Sequence, residues 1–435
     1  MCRDRSQIAA FLENRVPLQL ISRLRLSWRD TYYGWFVVAA CNGVAFITWG
    51  VTIFNQGVFL GVFVRDYGWS PATLSVGPVL FHLCAGMAGG WVGRIVDRQG
   101  PRLVLIAGAV LIGLGMIGFG FVREPWHTYP VFLVLGCGFT CIHTITLGKI
   151  ITRWFVRHRV RAMAAATFGA GLGGAILVPL NAAVIEGWGI LAGGVVLAAI
   201  TLGVIVPLAL WVIKEGPEAV GQEPDGGLVE DDSQSATDKA TDSHPWTVPE
   251  AMRTVAFWGL SICFALGMAA QGGYLVHQVM FLQMSLGLIG AASIVTVTTL
   301  MGMVGRVGFM LIGPRLSPRV WVALMFVIQA VSFLLLAIGS DPTLLLIGSA
   351  LFGLTMGVIV VLQPLATASV FGQQAFGRIY GPIYMSIRIG SGAGPLLAGV
   401  LVAATGNYQA VWLLLAASLF VGCVGIFWAM SASRP

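Results

Sequence analysis

Twelve apolar runs, each near the length that crosses lipid, constrain this chain more than any other feature. A spanning helix needs about 20 apolar residues for a ~30 Å hydrocarbon core. Such runs recur near 33–58, 72–93, 103–122, 129–152, 162–185, 190–213, 254–281, 289–312, 320–339, 343–366, 379–404 and 408–430. They are continuous and about twice as long as the ~10-residue alternating segments of a membrane barrel, so helices are expected. Only 10% of the 435 residues are charged, against about a quarter in soluble domains. The 57 glycines follow no G-x-y period, which excludes collagen. The expected fold is an all-α integral membrane protein with twelve transmembrane helices in two pseudo-symmetric six-helix bundles.

The charged residues report the organisation. Residues 214–253 hold ten acids and three bases, while the whole chain is +7. This hydrophilic stretch follows the sixth run, so it divides the chain into a segment 1–32, a first bundle 33–213, an acidic linker 214–253, a second bundle 254–430 and a tail 431–435. The stretch 8–28 suits either a short interfacial helix or a plain tail. No small-residue cleavage site closes the first run, so no cleaved signal is expected. With the N-terminus inside, 20 bases fall on the inner side and only Arg65 and Arg123 on the outer. Cytoplasmic loops carry the Lys/Arg excess, so both termini are expected in the cytoplasm of a plasma (inner) membrane protein. The halves echo each other in GMAG at 86–89 and GMVG at 302–305, as parallel repeats around a midplane cavity would.

After the second run comes GRIVDRQGPR, with Gly93, Asp97, Arg98, Gly100 and Arg102. The glycines permit a close helix end and a tight turn. The Asp can accept bonds from a neighbouring helix N-terminus or an Arg, and so latch one conformation. This resembles the signature between helices 2 and 3 of the major facilitator superfamily, with Pro101 where that family usually has a base. In the second half Gly313 and Pro314 replace the Asp–Arg pair. The Gly-rich TFGAGLGGAILVP at 167–179 resembles the fifth helix of the same superfamily, where small residues let backbones approach. Further segments resemble its monocarboxylate-transporter-like and oxalate/formate-exchanger-like members. These are WFVRHRVRAMAAATFGAG before helix 5, YLVHQVMFLQMSLG at 274–287, GMVGR ending in Arg306, and IYGPIYMSIRIGSGAGP at 379–395 with Arg388. Arg388 lies one residue beyond the position of the base in the exchanger pattern. A helix 1 Lys and a helix 8 Asp, usual in monocarboxylate-transporter-like members, are missing, the latter position being Gly302.

Three bases lie inside the runs: Lys149, Arg306 and Arg388. A charge at the bilayer centre costs at least ~3 kcal/mol, so it marks a pathway by default. Lys149 is near the inner end of helix 4, where its stem can snorkel to the interface. The two arginines are deeper, and the runs contain no central acid. Arginine cannot lose its proton in a protein, so an anion is expected to complete the site, and a carboxylate matches its fork. Polar residues share helix faces with them. Ser293, Thr296, Thr299, Met303 and Arg306 lie together on helix 8, and Tyr380, Tyr384, Arg388 and Ser391 on helix 11. Gln271, Tyr274, His277 and Gln278 cluster on helix 7, and Thr48, Thr52, Asn55 and Gln56 on helix 1. His82, His143 and His277 also lie within runs, and His titrates near neutrality.

The candidate substrate-binding set is Arg306, Arg388, Tyr274, His277, Tyr384, Tyr380, Asn55, Gln56 and His143. Arg306 is the main anchor and His277 the proton carrier. Asp97 and its neighbours form the gating motif. No catalytic set, metal signature or cofactor motif is visible, and the seven cysteines read as free thiols. The expected function is a secondary active transporter of small carboxylates such as lactate or pyruvate, proton-coupled and working by alternating access. A dicarboxylate exchanger of the oxalate–formate type and a non-transporting membrane sensor are the alternatives. The expected partners are a small organic anion, a proton and the lipid bilayer; the basic loops read as topology, not nucleic-acid binding.

Overall fold

The computed structural model describes residues 32–227, 246–339, 341–372 and 376–431. The segment 1–31, most of the acidic linker and the end of the tail lie outside the described residues. Among the described residues, ten helices are long and apolar enough to cross a membrane. They include α1 (Gly34–Tyr67), α2 (Pro71–Gln99), α3 (Pro101–Phe121) and α4 (Pro125–Trp154). Two others, Arg161–Val212 with 52 residues and Val255–Ile312 with 58, are too long for a single crossing. At about 1.5 Å per residue each would exceed twice the ~30 Å core. Each turns back at a glycine with left-handed φ, Gly189 (φ 83°) and Gly287 (φ 68°), where a β-carbon would be strained. These breaks give α5 (161–188) and α6 (190–212), and α7 (255–286) and α8 (288–312). The remaining helices are α9 (Pro318–Ile338), α10 (Pro342–Phe371), α11 (Phe376–Thr405) and α12 (Gln409–Ala429). Twelve crossing segments therefore match the twelve apolar runs.

The halves meet along three seams: α1 against α7, α2 against α11, and α5 against α8. Exchanging 1 with 7, 2 with 8 and 5 with 11 maps this set onto itself, the signature of two parallel repeats. Lipid gives helices no hydrophobic reason to associate, so packing and polar bonds must hold them. α5 shows how. Gly173 lies on the Phe46 carbonyl of α1, where a β-carbon would overlap the oxygen. On the other side Gly171 meets Met303 and Gly174 meets Thr299 of α8, and Thr296 Oγ1 donates to the Ala175 carbonyl at 2.9 Å. The helix 8 face expected to line a polar cavity thus packs against α5 over Thr296, Thr299 and Met303.

Two helices depart from regular α geometry. α1 widens to a π-helical stretch at Trp49–Phe54, and α4 does so at His143–Leu147. In each a polar side chain reaches a carbonyl five residues back. Asn55 Nδ2 donates to Gly50 O at 2.7 Å and Thr146 Oγ1 to Cys141 O at 2.5 Å. Such bulges alter helix phase at functional sites.

The start of the linker is docked, not free. Asp225 accepts the backbone N–H groups of Val156 and Arg157 at 2.8 and 2.6 Å, in the turn before α5. Tyr33 N–H donates to Gln222 Oε1 at 3.0 Å, and Tyr32 O–H to Trp154 O at 2.6 Å.

Gly173→Ala is expected to lower thermal stability in detergent, by about 1–3 kcal/mol for overpacking. Gly203→Ala, with nothing within 4 Å of the added carbon, is expected to be neutral or slightly stabilising. Equal melting temperatures for the two variants would contradict this account of the α1–α5 seam.

Candidate functional site

α2 and α11 run antiparallel, and their seam decides where a site can form. At the end away from the linker, Gly399 lies on Pro71 and Ser75. One level deeper, Gly392 meets Val79 and the His82 β-carbon. His82 Nε2 then lies 3.5 Å from Ser391 Oγ. At the next level the helices part. Ala85, Gly86 and Gly89 of α2 face Gly381, Tyr384, Met385 and Arg388 of α11 across a cavity of about 170 Å³. Phe139, Thr140 and Ile145 of α4 close its side.

Two imidazoles lie within electrostatic reach of the Arg388 guanidinium. His82 and His143 both interact electrostatically with it. His143 is placed by the two π-helical stretches together. It begins the one in α4, and Trp49 begins the one in α1. Trp49 Nε1–H points at the ring, 3.0 Å from Nε2 and 3.2 Å from Nδ1. Tyr384 lines the cavity beside Arg388, and Tyr380 stands 5.8 Å from it, ring to ring.

Among the described residues, Arg388 forms no ion pair and no hydrogen bond to the protein. The ion pairs found are Arg65 with Asp66 and Glu186, His127 with Glu124, Lys149 with Asp97, and Arg153 with Glu218. Arg306 is also outside these pairs. Its stem lies along α10 at Gly357, where a β-carbon would fall 2.6 Å from Arg306 Nε, and that nitrogen is buried without a partner.

The sequence profile of the Major Facilitator Superfamily matches residues 36–320. The chain belongs to this superfamily. It is a multi-pass membrane transporter and not an enzyme. Monocarboxylate transporter 12 of Rattus norvegicus is 25% identical, over 93% of this chain and 87% of that protein. Monocarboxylate transporter 13 of the same species is 26% identical, over 90% and 88%. Among solved structures, the nucleoside transporter NupG matches with a TM-score of 0.65 at 13% identity, over 92% of this chain and 99% of that one. A bacterial homologue of the lysosomal transporter Spinster, inward-facing and occupied, matches at 0.64 and 14% identity, over 93% and 98%. At such identity these structures bear on the fold alone.

The charged segment at the linker-side end of α2 makes its contacts within the first half. Asp97 pairs with Lys149 of α4, and Lys149 Nζ also donates to Gly93 O at 3.1 Å. This corrects the reading of Lys149 as a base without a matching acid: Asp97 lies in the last helical turn and reaches it. Gly100 makes the turn with φ 79°, and Arg102 Nε donates to Ile213 O at 2.6 Å. Arg98 is exposed. In the second half Gly313 O instead accepts Trp321 Nε1–H at 3.0 Å.

Several expected site residues are not brought to the cavity. Tyr274 is fully buried among Phe352, Phe333 and Trp412, and its hydroxyl donates to Ser349 Oγ at 2.6 Å. Asn55 bridges Gly50 O and Asn181 between α1 and α5. Gln56 is buried, with its Nε2 lacking a partner. His277 lies in the far-side seam. Its Nε2 is 3.0 Å from both Ser75 Oγ of α2 and Pro395 O of α11, and its Nδ1 is 3.1 Å from the Tyr408 hydroxyl. The residues that the expected site omitted are His82, Trp49 and Ser391. The sequence carried a signal for His82, a lone imidazole one turn before small residues facing the cavity. It carried none for Trp49. Among the described residues no group of three His, Cys or acidic side chains is placed to hold a metal.

Tyr274→Phe is expected to cost about 1 kcal/mol of stability, one buried hydrogen bond, because Ser349 Oγ keeps its own bond to Leu345 O at 2.7 Å. Ligand affinity should be unchanged. A variant with wild-type stability and lost ligand binding would place Tyr274 in the site after all.

Proposed function

We propose that this transporter is a proton-coupled secondary carrier of small monocarboxylates such as lactate or pyruvate. It works by alternating access in the plasma (inner) membrane, with both termini cytoplasmic. The observation that carries the reading is Arg388, a cation at the cavity wall with no acid partner among the described residues. A guanidinium keeps its charge at any working pH. In a low-dielectric site it is satisfied best by an anion, and a carboxylate matches it with two parallel N–H···O bonds. A cavity of about 170 Å³ falls below the ~300–1,000 Å³ of sites for drug-sized ligands, which suits a molecule of a few carbons. The names of the similar curated transporters point the same way. Arg388 is the anchor in this reading and Arg306 the second cation, the reverse of the order expected from the sequence.

Tyr384, Tyr380 and His143 supply polar groups beside the anchor. Bound substrate would draw α2 and α11 together below His82. Opening on the far side must then separate Ser75 from His277 and Gln283 from the Gly61 carbonyl, polar bonds that join the halves there. The Asp97–Lys149 pair would keep the ends of α2 and α4 moving as one body.

A dicarboxylate exchanger is the second reading, favoured by the unpartnered Nε of Arg306. Thermal-shift titration of purified protein separates the two. Monocarboxylates alone should stabilise a carrier anchored on Arg388, while oxalate should outcompete them if both arginines bind one substrate. Arg388→Ala is expected to lower pyruvate affinity on the order of a hundredfold, about 3 kcal/mol, and to abolish uptake into proteoliposomes. Stabilisation by amines but never by acids, or full uptake by the variant, would refute the carboxylate reading.

A further inference from the structure

We infer that His82 is the proton-binding residue of the site, taking a proton on Nδ1 when a carboxylate occupies Arg388. The inference rests on the carboxylate reading above and assigns its coupling ion to one atom. His82 is 8% exposed, one turn above the cavity-lining Ala85 and Gly86. Its Nε2 is engaged by Ser391, while its Nδ1 is buried with no partner. A buried polar atom left unmade costs about 1–3 kcal/mol. It lies one turn from the cavity lining, within reach of a bound anion once α2 and α11 draw together.

The three intramembrane imidazoles differ in whether they can accept a second proton. His143 faces the Trp49 N–H, which only donates. One ring nitrogen must offer it a lone pair, and an imidazolium has none. His277 is satisfied as a neutral ring. Ser75 Oγ spends its proton on Pro71 O at 2.6 Å, so it and Pro395 O both accept from His277 Nε2–H. Nδ1 then accepts from Tyr408 O–H. A proton on Nδ1 would leave the Tyr408 hydroxyl hydrogen without an acceptor. With Nε2–H donating to Ser391 Oγ, His82 alone can take a second proton without removing the acceptor of a neighbouring N–H or O–H.

Electrostatics couple this proton to the anion. The titratable groups presented to α2 at this level are Arg388 and Tyr384 of α11, and His143, Cys137 and Cys141 of α4. Arg388 is the charged one among them, and the α2 acid, Asp97, is bound to Lys149 at the linker-side end. A proton on His82 is repelled by Arg388 in the empty site. A carboxylate held by Arg388 offsets that repulsion and accepts the new Nδ1–H. Anion and proton then raise each other's affinity by the same factor, as linkage requires. The proton comes from the aqueous side and leaves with the anion. The empty and doubly loaded sites carry the same net charge.

The test uses purified full-length protein, with pyruvate and L-lactate as probes. Both probes stay ionised well above the usual carboxylate pKa of about 4. Net proton uptake is read with an indicator dye in weak buffer, and affinity by tryptophan fluorescence. The wild type should take up about one proton per pyruvate bound. Its affinity should rise about thirtyfold from about pH 7.5 to about pH 6, the slope that one proton per anion requires. Folded His82→Gln or His82→Asn should still bind pyruvate, with no proton uptake and a flat pH profile, and His277→Gln should keep the wild-type slope. Binding by the wild type without uptake, uptake retained by a folded His82 variant, or uptake lost in folded His277→Gln overturns the assignment while leaving the carboxylate reading intact. Absence of any carboxylate binding by the wild type refutes that reading itself.

Discussion

The structure depends on how closely helix backbones can approach where water is absent. Burying apolar surface gains nothing when the solvent is hydrocarbon, so the halves must be joined by contact and by polar bonds. α5 achieves this with Gly171, Gly173 and Gly174, which admit Met303, Phe46 O and Thr299. α11 does it with Gly392 and Gly399 against α2. Where these small residues stay in register the seam is closed. Beyond them the helices part, and at Gly86 and Gly381 the same residue type borders a void, with nothing within 4 Å of an added β-carbon. Residues without a β-carbon thus stand both in the seal and at the cavity.

This explains why some of the candidate site could be read from the sequence and some could not. Helix number, the division into halves and the deep arginines follow from apolar length and the cost of a charge in lipid, which are local properties. The faces were legible too: Tyr384 and Arg388 do line one cavity, as their spacing implies. Whether a polar face meets a cavity or a neighbouring helix depends on what stands opposite. Thr296 and Thr299 share a helical face with Arg306, yet they serve the α5 seam. Tyr274 and His277 share a face, and one faces the aromatic core of the second half while the other bridges the halves. A sequence gives the face and leaves its partner open.

Phase matters in the same way. An ideal helix drawn through residues 34–67 does not predict how the face of Trp49 relates to that of Asn55 and Gln56, because the π-helical stretch between them changes the angle of every side chain after it. A second such stretch starts at His143, the residue that Trp49 contacts. Lys149 shows the complementary limit. The second apolar run ends near residue 93, short of Asp97, whereas α2 continues through Gln99 and carries the acid to the lysine.

The order of contacts along α2 also constrains how the transporter can move. From the far side inward, α2 presents Ser75 to His277, His82 to Ser391, and then open space to Arg388. A rigid rocking of one half cannot separate Ser75 from His277 without bringing the Gly86 level toward Tyr384 and Arg388. Closing that level on an empty site would bury an unpaired guanidinium, at the several-kcal/mol cost of desolvating a charge. Closing it on a carboxylate buries an ion pair instead. The empty carrier can return only if water or a partner group serves Arg388 in transit. The cation proposed to recognise the substrate would therefore also make reorientation sensitive to whether the substrate is there.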